Sequence, residues 1–155
     1  MPCEEVRVFD PQLRSLADDL LDTMRAAPGI GITAAHVGVL KRLTVIEITR
    51  RQGAFVAVNP RVTAASHETS RQTEGSVSMP GISEDVERPE RVRVAYLDLD
   101  GNQHEEDFDG LMSICLQHEI DQLDGVFWLD RLSRLKRERA EKRFSKALRL
   151  GDRRV

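Results

Sequence analysis

The chain has 155 residues and a mass of 17.5 kDa, with 40% hydrophobic, 32% charged and 5% aromatic residues and a net charge of −3. That length suits one domain, residues 1–155, which buries roughly two-thirds of the surface its unfolded chain exposes. Ten Gly and six Pro exclude collagen-like and low-complexity classes, and two cysteines exclude a disulfide framework or a cysteine-only metal site; no apolar run is long enough to span a membrane, and the start has no leader pattern, so the expected setting is cytoplasmic.

In chain order, Asp10 and Pro11 open a helix whose apolar positions, Leu13, Leu16, Ala17, Leu20, Leu21 and Met24, recur at helical spacing, and Pro28-Gly29 ends it. Gly29 to His36 reads as a small-residue loop. Leu43–Thr49 and Ala54–Val58, rich in Val, Ile and Thr, read as strands joined by a turn around Gln52-Gly53. Glu74 to Gly81 reads as a second loop. Arg91–Leu99 alternates, with Val92, Val94 and Tyr96 on one side; Asp100-Gly101 is a hairpin signal, and polar Gln103–Asp107 is its return strand at a sheet edge.

Asp109-Gly110 opens a second helix, Leu111–Leu123, which Asp124-Gly125 ends. A third helix, Arg134–Leu150, has a narrow apolar stripe of Ala140, Phe144, Ala147 and Leu148, with Gly151 placed to stop it. Residues 131–155 carry eleven Lys/Arg against three Asp/Glu, while residues 1–130 carry twelve against twenty-three. Such segregation reads either as a basic helix that meets nucleic acid or a membrane surface, or as a solvated helix that balances an acidic body. Strands followed by helices without βαβ alternation define the α+β class.

The second helix carries the chemistry. At about 100° per residue, Leu111, Ile114, Cys115, His118 and Gln122 share one seam, with Glu119 beside it. Polar groups on an apolar seam need partners or a ligand, since an unsatisfied buried polar group costs about 1–3 kcal/mol. His118 to Gln122 reads HEIDQ, one residue from the H-E-x-x-H pattern in which two histidines one turn apart bind a metal and the glutamate acts as base. Cys115 reads as a small core residue or a thiol facing a pocket. His67 and His104 read as solvent-facing.

Three segments in order, GIGITAAH (residues 29–36), EGSVS (74–78) and HEIDQ (118–122), resemble the peptide deformylase motifs G-x-G-φ-A-A-x-Q, E-G-C-φ-S and H-E-x-D-H, and the likeness continues through the connecting segments. Peptide deformylases are metallohydrolases of protein N-terminal processing during translation, removing formyl from N-formylmethionyl peptides. The resemblance implies antiparallel or mixed sheets packed around a central helix carrying the HExxQ motif, plus a C-terminal helix. It places the metal ligands at Ser76, His118 and Gln122, where the family has Cys, His and His. Only His118 is retained. Glu119 keeps the acid/base position. His36 replaces the glutamine that stabilises the formyl oxygen, and the Val77 backbone N–H shares that task. Gly31, Ile32, Ile114 and Cys115 would line the pocket for the methionine side chain.

A neutral hydroxyl and a neutral amide are poor replacements for thiolate and imidazole, so the resemblance implies a degenerate metal site, no cofactor and loss of ordinary catalysis, a pseudoenzyme that still binds an N-terminal peptide. A second reading is an active hydrolase with an altered Zn or Fe site using His36 and His118. A third is a ribosome- or nascent-chain-binding module through Arg134, Lys136, Arg137, Arg139, Lys142, Arg143, Lys146 and Arg149. Family members also carry a strand and turn ahead of the first helix; little of it is expected here, leaving sheet or core for a partner subunit to cover.

Overall fold

The protein, seen here as a computed structural model, is described at residues 2–27, 29–75, 79 and 81–152. Helix α1 spans Pro11–Ala26; the Asp10 carboxylate accepts from the Leu13 N–H at 3.0 Å, a cap that contributes about 1 kcal/mol. Five strands form one antiparallel sheet: β1 (Gly31–Thr33), β2 (Leu43–Ile46), β3 (Phe55–Ala65), then β6 (Val92–Leu97) and β7 (Gln103–Phe108), in that spatial order. Strands β4 (Thr69–Gly75) and β5 (Ser83–Pro89) pair separately as an antiparallel hairpin. Helices α2 (Gly110–Leu123) and α3 (Arg134–Asp152) follow, with a short 3-10 turn at Trp128–Arg131 between them.

Strand alternation sorts the core onto two faces. Leu43, Val45, Val58 and Ile32 face α1 and pack with Leu13, Ala17, Leu20 and Met24. Ile46, Ala57, Val92, Val94 and Tyr96 face the other way and pack on Cys115, Leu116 and Ile120 of α2. The β4–β5 hairpin closes over α2 from the far side, so α2 is buried nearly all round, polar positions included. A third cluster, Met79, Ile82, Val86, Trp128, Leu129 and Ala140, seats α3 against the hairpin. No helix among the described residues is long and apolar enough to cross a membrane.

Several elements differ from the expectations. The segment from Gly29 to His36 is no simple loop, because Gly31–Thr33 pairs with β2 and Ala34–Val37 makes a 3-10 turn. Thr69–Gly75 and Ser83–Pro89, without strand patterning in the sequence, pair as the hairpin β4–β5. Strand β2 stops at Ile46, whereas β3 runs on to Ala65 through a bulge near Asn59, whose φ is 52°. Helix α3 continues past Gly151 to Asp152, and only Ala140 and Phe144 of its stripe are packed; Ala147 and Leu148 are exposed. The residues before α1 are also more integrated than expected. Cys3 and Val6 are buried, the Cys3 N–H donates to Leu123 O, and Asn59 exchanges two hydrogen bonds with the Val6 backbone.

Candidate functional site

The seam expected on the second helix opens onto a cavity of about 600 Å³. Leu111, Ile114, Cys115, His118, Glu119 and Gln122 of α2 form one wall; Ile30, Gly31 and His36 form another, and Gln72 to Gly75 of β4 a third. Ile32 is not among them. Gly31 turns toward α2, so the next residue of the strand turns toward α1, where Ile32 is 2% exposed in the core; Ile30 supplies the apolar wall instead. Ser76 and Val77 lie outside the described residues.

Gly31 has a steric reason to be glycine. A Cβ there would stand 2.8 Å from Glu119 Oε1, so any side chain would push into the carboxyl. Glu119 is 5% exposed, and its Oε2 has no hydrogen-bond partner among the described residues. Burial pushes this carboxyl up to about 7, with the nearby Glu74 charge adding to the rise and His118 opposing it. Burial likewise raises the Cys115 thiol to about 12, aided by Glu119 and Glu74. Cys115 therefore lines the cavity as an inert thiol.

His118 is held from both sides. Its Nδ1 lies 2.7 Å from Glu74 Oε1, and its Nε2 lies 3.1 Å from the Gln122 amide nitrogen. The ring donates through Nδ1–H to a carboxylate and accepts at Nε2 from an amide N–H one helical turn on. Burial alone would raise the Glu74 carboxyl, yet the bonds from His118 and Arg88 hold it below the usual carboxylate range. Arg88, 3% exposed, forks onto Glu74 at 2.6 and 2.9 Å and reaches Asp121 at 2.8 Å; Arg131 clamps the same Asp121 at 2.7 and 2.9 Å. Glu74 and Arg88 had no role assigned from sequence. Glu74 was legible as the first residue of the second motif, but Arg88 lies in a stretch without apolar pattern.

His36 sits on the 3-10 turn that Thr33 caps, its Nδ1 3.1 Å from the Thr33 backbone nitrogen and 3.0 Å from Thr33 Oγ1. Burial lowers its pKa, the Thr33 backbone bond opposes that, and the neighbouring His118 adds to the lowering. Among the described residues, no three His, Cys, Asp or Glu side chains are grouped to hold a metal ion.

The fold is α+β, wrapped round a buried helix whose H-E motif lines the cavity. The profile of the polypeptide deformylase family matches residues 1–138, and the chain belongs to that family. It is 63% identical over 143 residues to a peptide deformylase-like protein of Rhizobium meliloti, covering 92% of this chain and 83% of that one. A peptide deformylase-like protein of Brucella melitensis is 59% identical over 143 residues, covering 92% and 87%. Among solved structures, a peptide deformylase from Legionella pneumophila superposes with a TM-score of 0.90 at 39% identity, covering 99% of this chain and 90% of that one.

Proposed function

We propose that this chain keeps the family's cavity for a peptide N-terminus but has exchanged metal-dependent deformylation for binding. The observation that carries this reading is the Gln122 amide on His118 Nε2, at 3.1 Å. A metal-binding imidazole needs that lone pair for the ion. Here an amide N–H occupies it, while the other ring nitrogen is bound to Glu74. The donor set at His118 and Gln122 does not fit a divalent ion of the Zn or Fe type, and the serine at position 76 offers no thiolate to compensate. Glu119, with its raised pKa, then acts as a buried hydrogen-bonding wall of the cavity, with no metal-activated water to deprotonate. Ile114, Cys115 and Ile30 give the cavity an apolar lining suited to an unbranched side chain such as methionine.

The test is metal content, counted on protein purified without chelator or affinity metal, together with hydrolysis of an N-formyl peptide. Near-zero metal and no formate release are expected. The double variant Ser76→Cys with Gln122→His should then gain Zn²⁺ affinity by more than about 100-fold, since it restores a charged ligand and frees the His118 lone pair. One tightly held Zn or Fe per chain in the unmodified protein would overturn the reading in favour of an active hydrolase with an altered site.

A second role is supported by α3. Arg139 and Arg143 reach back to Glu84, Arg134 and Arg137 pair with Glu138 and Glu141, but Lys142, Lys146 and Arg149 have no acidic partner among the described residues. These three fall within an arc of roughly 60°, opposite the packed Ala140 and Phe144. Such a stripe suits the phosphate backbone of RNA, as on a ribosome.

A further inference from the structure

Glu74 and Glu84 stand directly opposite each other in the β4–β5 register, and both are buried, so the two carboxylates share the inner face of the hairpin. Like charges facing each other across a strand pair destabilise it. Each is compensated from a different place. Arg88 and His118 hold Glu74 from within the body. Glu84 has its ion pairs with Arg139, at 2.8 Å, and with Arg143, both on α3. The hairpin is a two-stranded sheet of its own, marginal unless other elements pack on it, so the charge that α3 supplies helps to hold a wall of the cavity.

The same two arginines are within reach of solvent, their side chains 55% and 48% exposed. At about 100° per residue they lie between the packed Ala140 and Phe144 and the stripe of Lys142, Lys146 and Arg149, with Arg139 only about 20° from Lys146. A phosphate backbone settled on that stripe meets guanidinium groups already engaged by Glu84 and competes for them. We propose that α3 is coupled to the cavity through Glu84, so that RNA phosphate drawn onto Arg139 and Arg143 loosens the wall that holds His118 and weakens binding there. The proposal rests on the peptide site and the RNA stripe argued above. Its two states are the arginines on Glu84 with the wall closed, and the arginines on phosphate with Glu84 unpaired opposite Glu74. In the second state the repulsion falls on Glu74, the partner that fixes His118 Nδ1. The effect is reciprocal, since a guest that needs the closed wall weakens RNA binding by the same factor.

The experiment is calorimetric titration of the full chain with N-formyl-Met-Ala-Ser, with and without a saturating short RNA duplex. RNA should weaken peptide binding to the unmodified protein by roughly fivefold. Arg139→Gln with Arg143→Gln should show the same weakening with no RNA present. Adding Glu84→Gln to that pair removes the repulsion and should restore the affinity, a rescue that lost packing would not give. Glu84→Gln alone should bind RNA while its peptide affinity stays indifferent to it. In peptide-free protein, amide hydrogen exchange along Thr69–Gly75 should quicken when RNA is added, and should not in Glu84→Gln. RNA bound with unchanged exchange in β4, no rescue by Glu84→Gln, or no RNA binding each overturns the coupling. Failure of the peptide to bind overturns the peptide site instead, and the exchange measurement then decides the coupling by itself.

Discussion

At position 122 a single side chain decides how the site is used. Glutamine has the reach to place an amide one turn along the helix, so it satisfies the His118 lone pair from within the protein. Glu119, next to it, tells the same story through its proton. Its carboxyl is raised from 4.5 to about 7 chiefly by burial. A carboxyl raised on folding adds stability that is fully present below its unfolded pKa and is lost as pH climbs through the folded value. Glu119→Gln removes that loss. Denaturant unfolding should therefore find the variant more stable by about 2–3 kcal/mol near pH 8, with the difference vanishing near pH 4. A pH-independent difference would mean that Glu119 keeps an ordinary pKa.

At the scale of elements, the hairpin β4–β5 shows both what holds the site and why part of the fold was hidden in the sequence. The inward residues of β5 are Glu84, Val86 and Arg88, a period of two in which two of the three members are charged. Alternation is normally recognised by hydrophobicity, and here the buried side is satisfied by ion pairs, Glu84 with Arg139 and Arg143 and Arg88 with Glu74 and Asp121. Helix α2 is legible for the opposite reason, since its seam residues carry their usual meaning and Asp109-Gly110 and Asp124-Gly125 mark its ends. The cavity wall on α2 follows from that seam, whereas Ile32 faces the core because Gly31–Thr33 pairs as a strand rather than forming a loop. Arg88→Ala leaves Glu74 and Asp121 buried without their shared cation and should cost about 3–5 kcal/mol in denaturant unfolding. It should also loosen His118, whose Nδ1 partner is Glu74. A loss under about 1 kcal/mol would show that the network contributes only marginally to stability.

Over the whole molecule, charge is divided between an acidic body and a basic helix that is only partly neutralised where it docks. Co-sedimentation with ribosomes should weaken steeply as salt rises, and the triple change Lys142→Glu, Lys146→Glu, Arg149→Glu should weaken it strongly and lower its salt slope by about two to three. Sedimentation indifferent to the triple change would leave α3 as a solvated helix that balances the body.

The seat of that helix has a practical consequence. Trp128 is the sole tryptophan of the chain, 1% exposed, and it packs where Met79, Ile82 and Val86 meet Ala140 of α3. Its indole N–H has no partner among the described residues, and the ring packs within the hydrophobic cluster that seats α3. The protein thus carries its one tryptophan at the joint between the helix that faces outward and the hairpin that walls the cavity. Its emission should be short in wavelength while the joint is closed and should shift to the red when water enters. Undocking of α3 should therefore be readable in unlabelled protein as a red shift of its tryptophan emission.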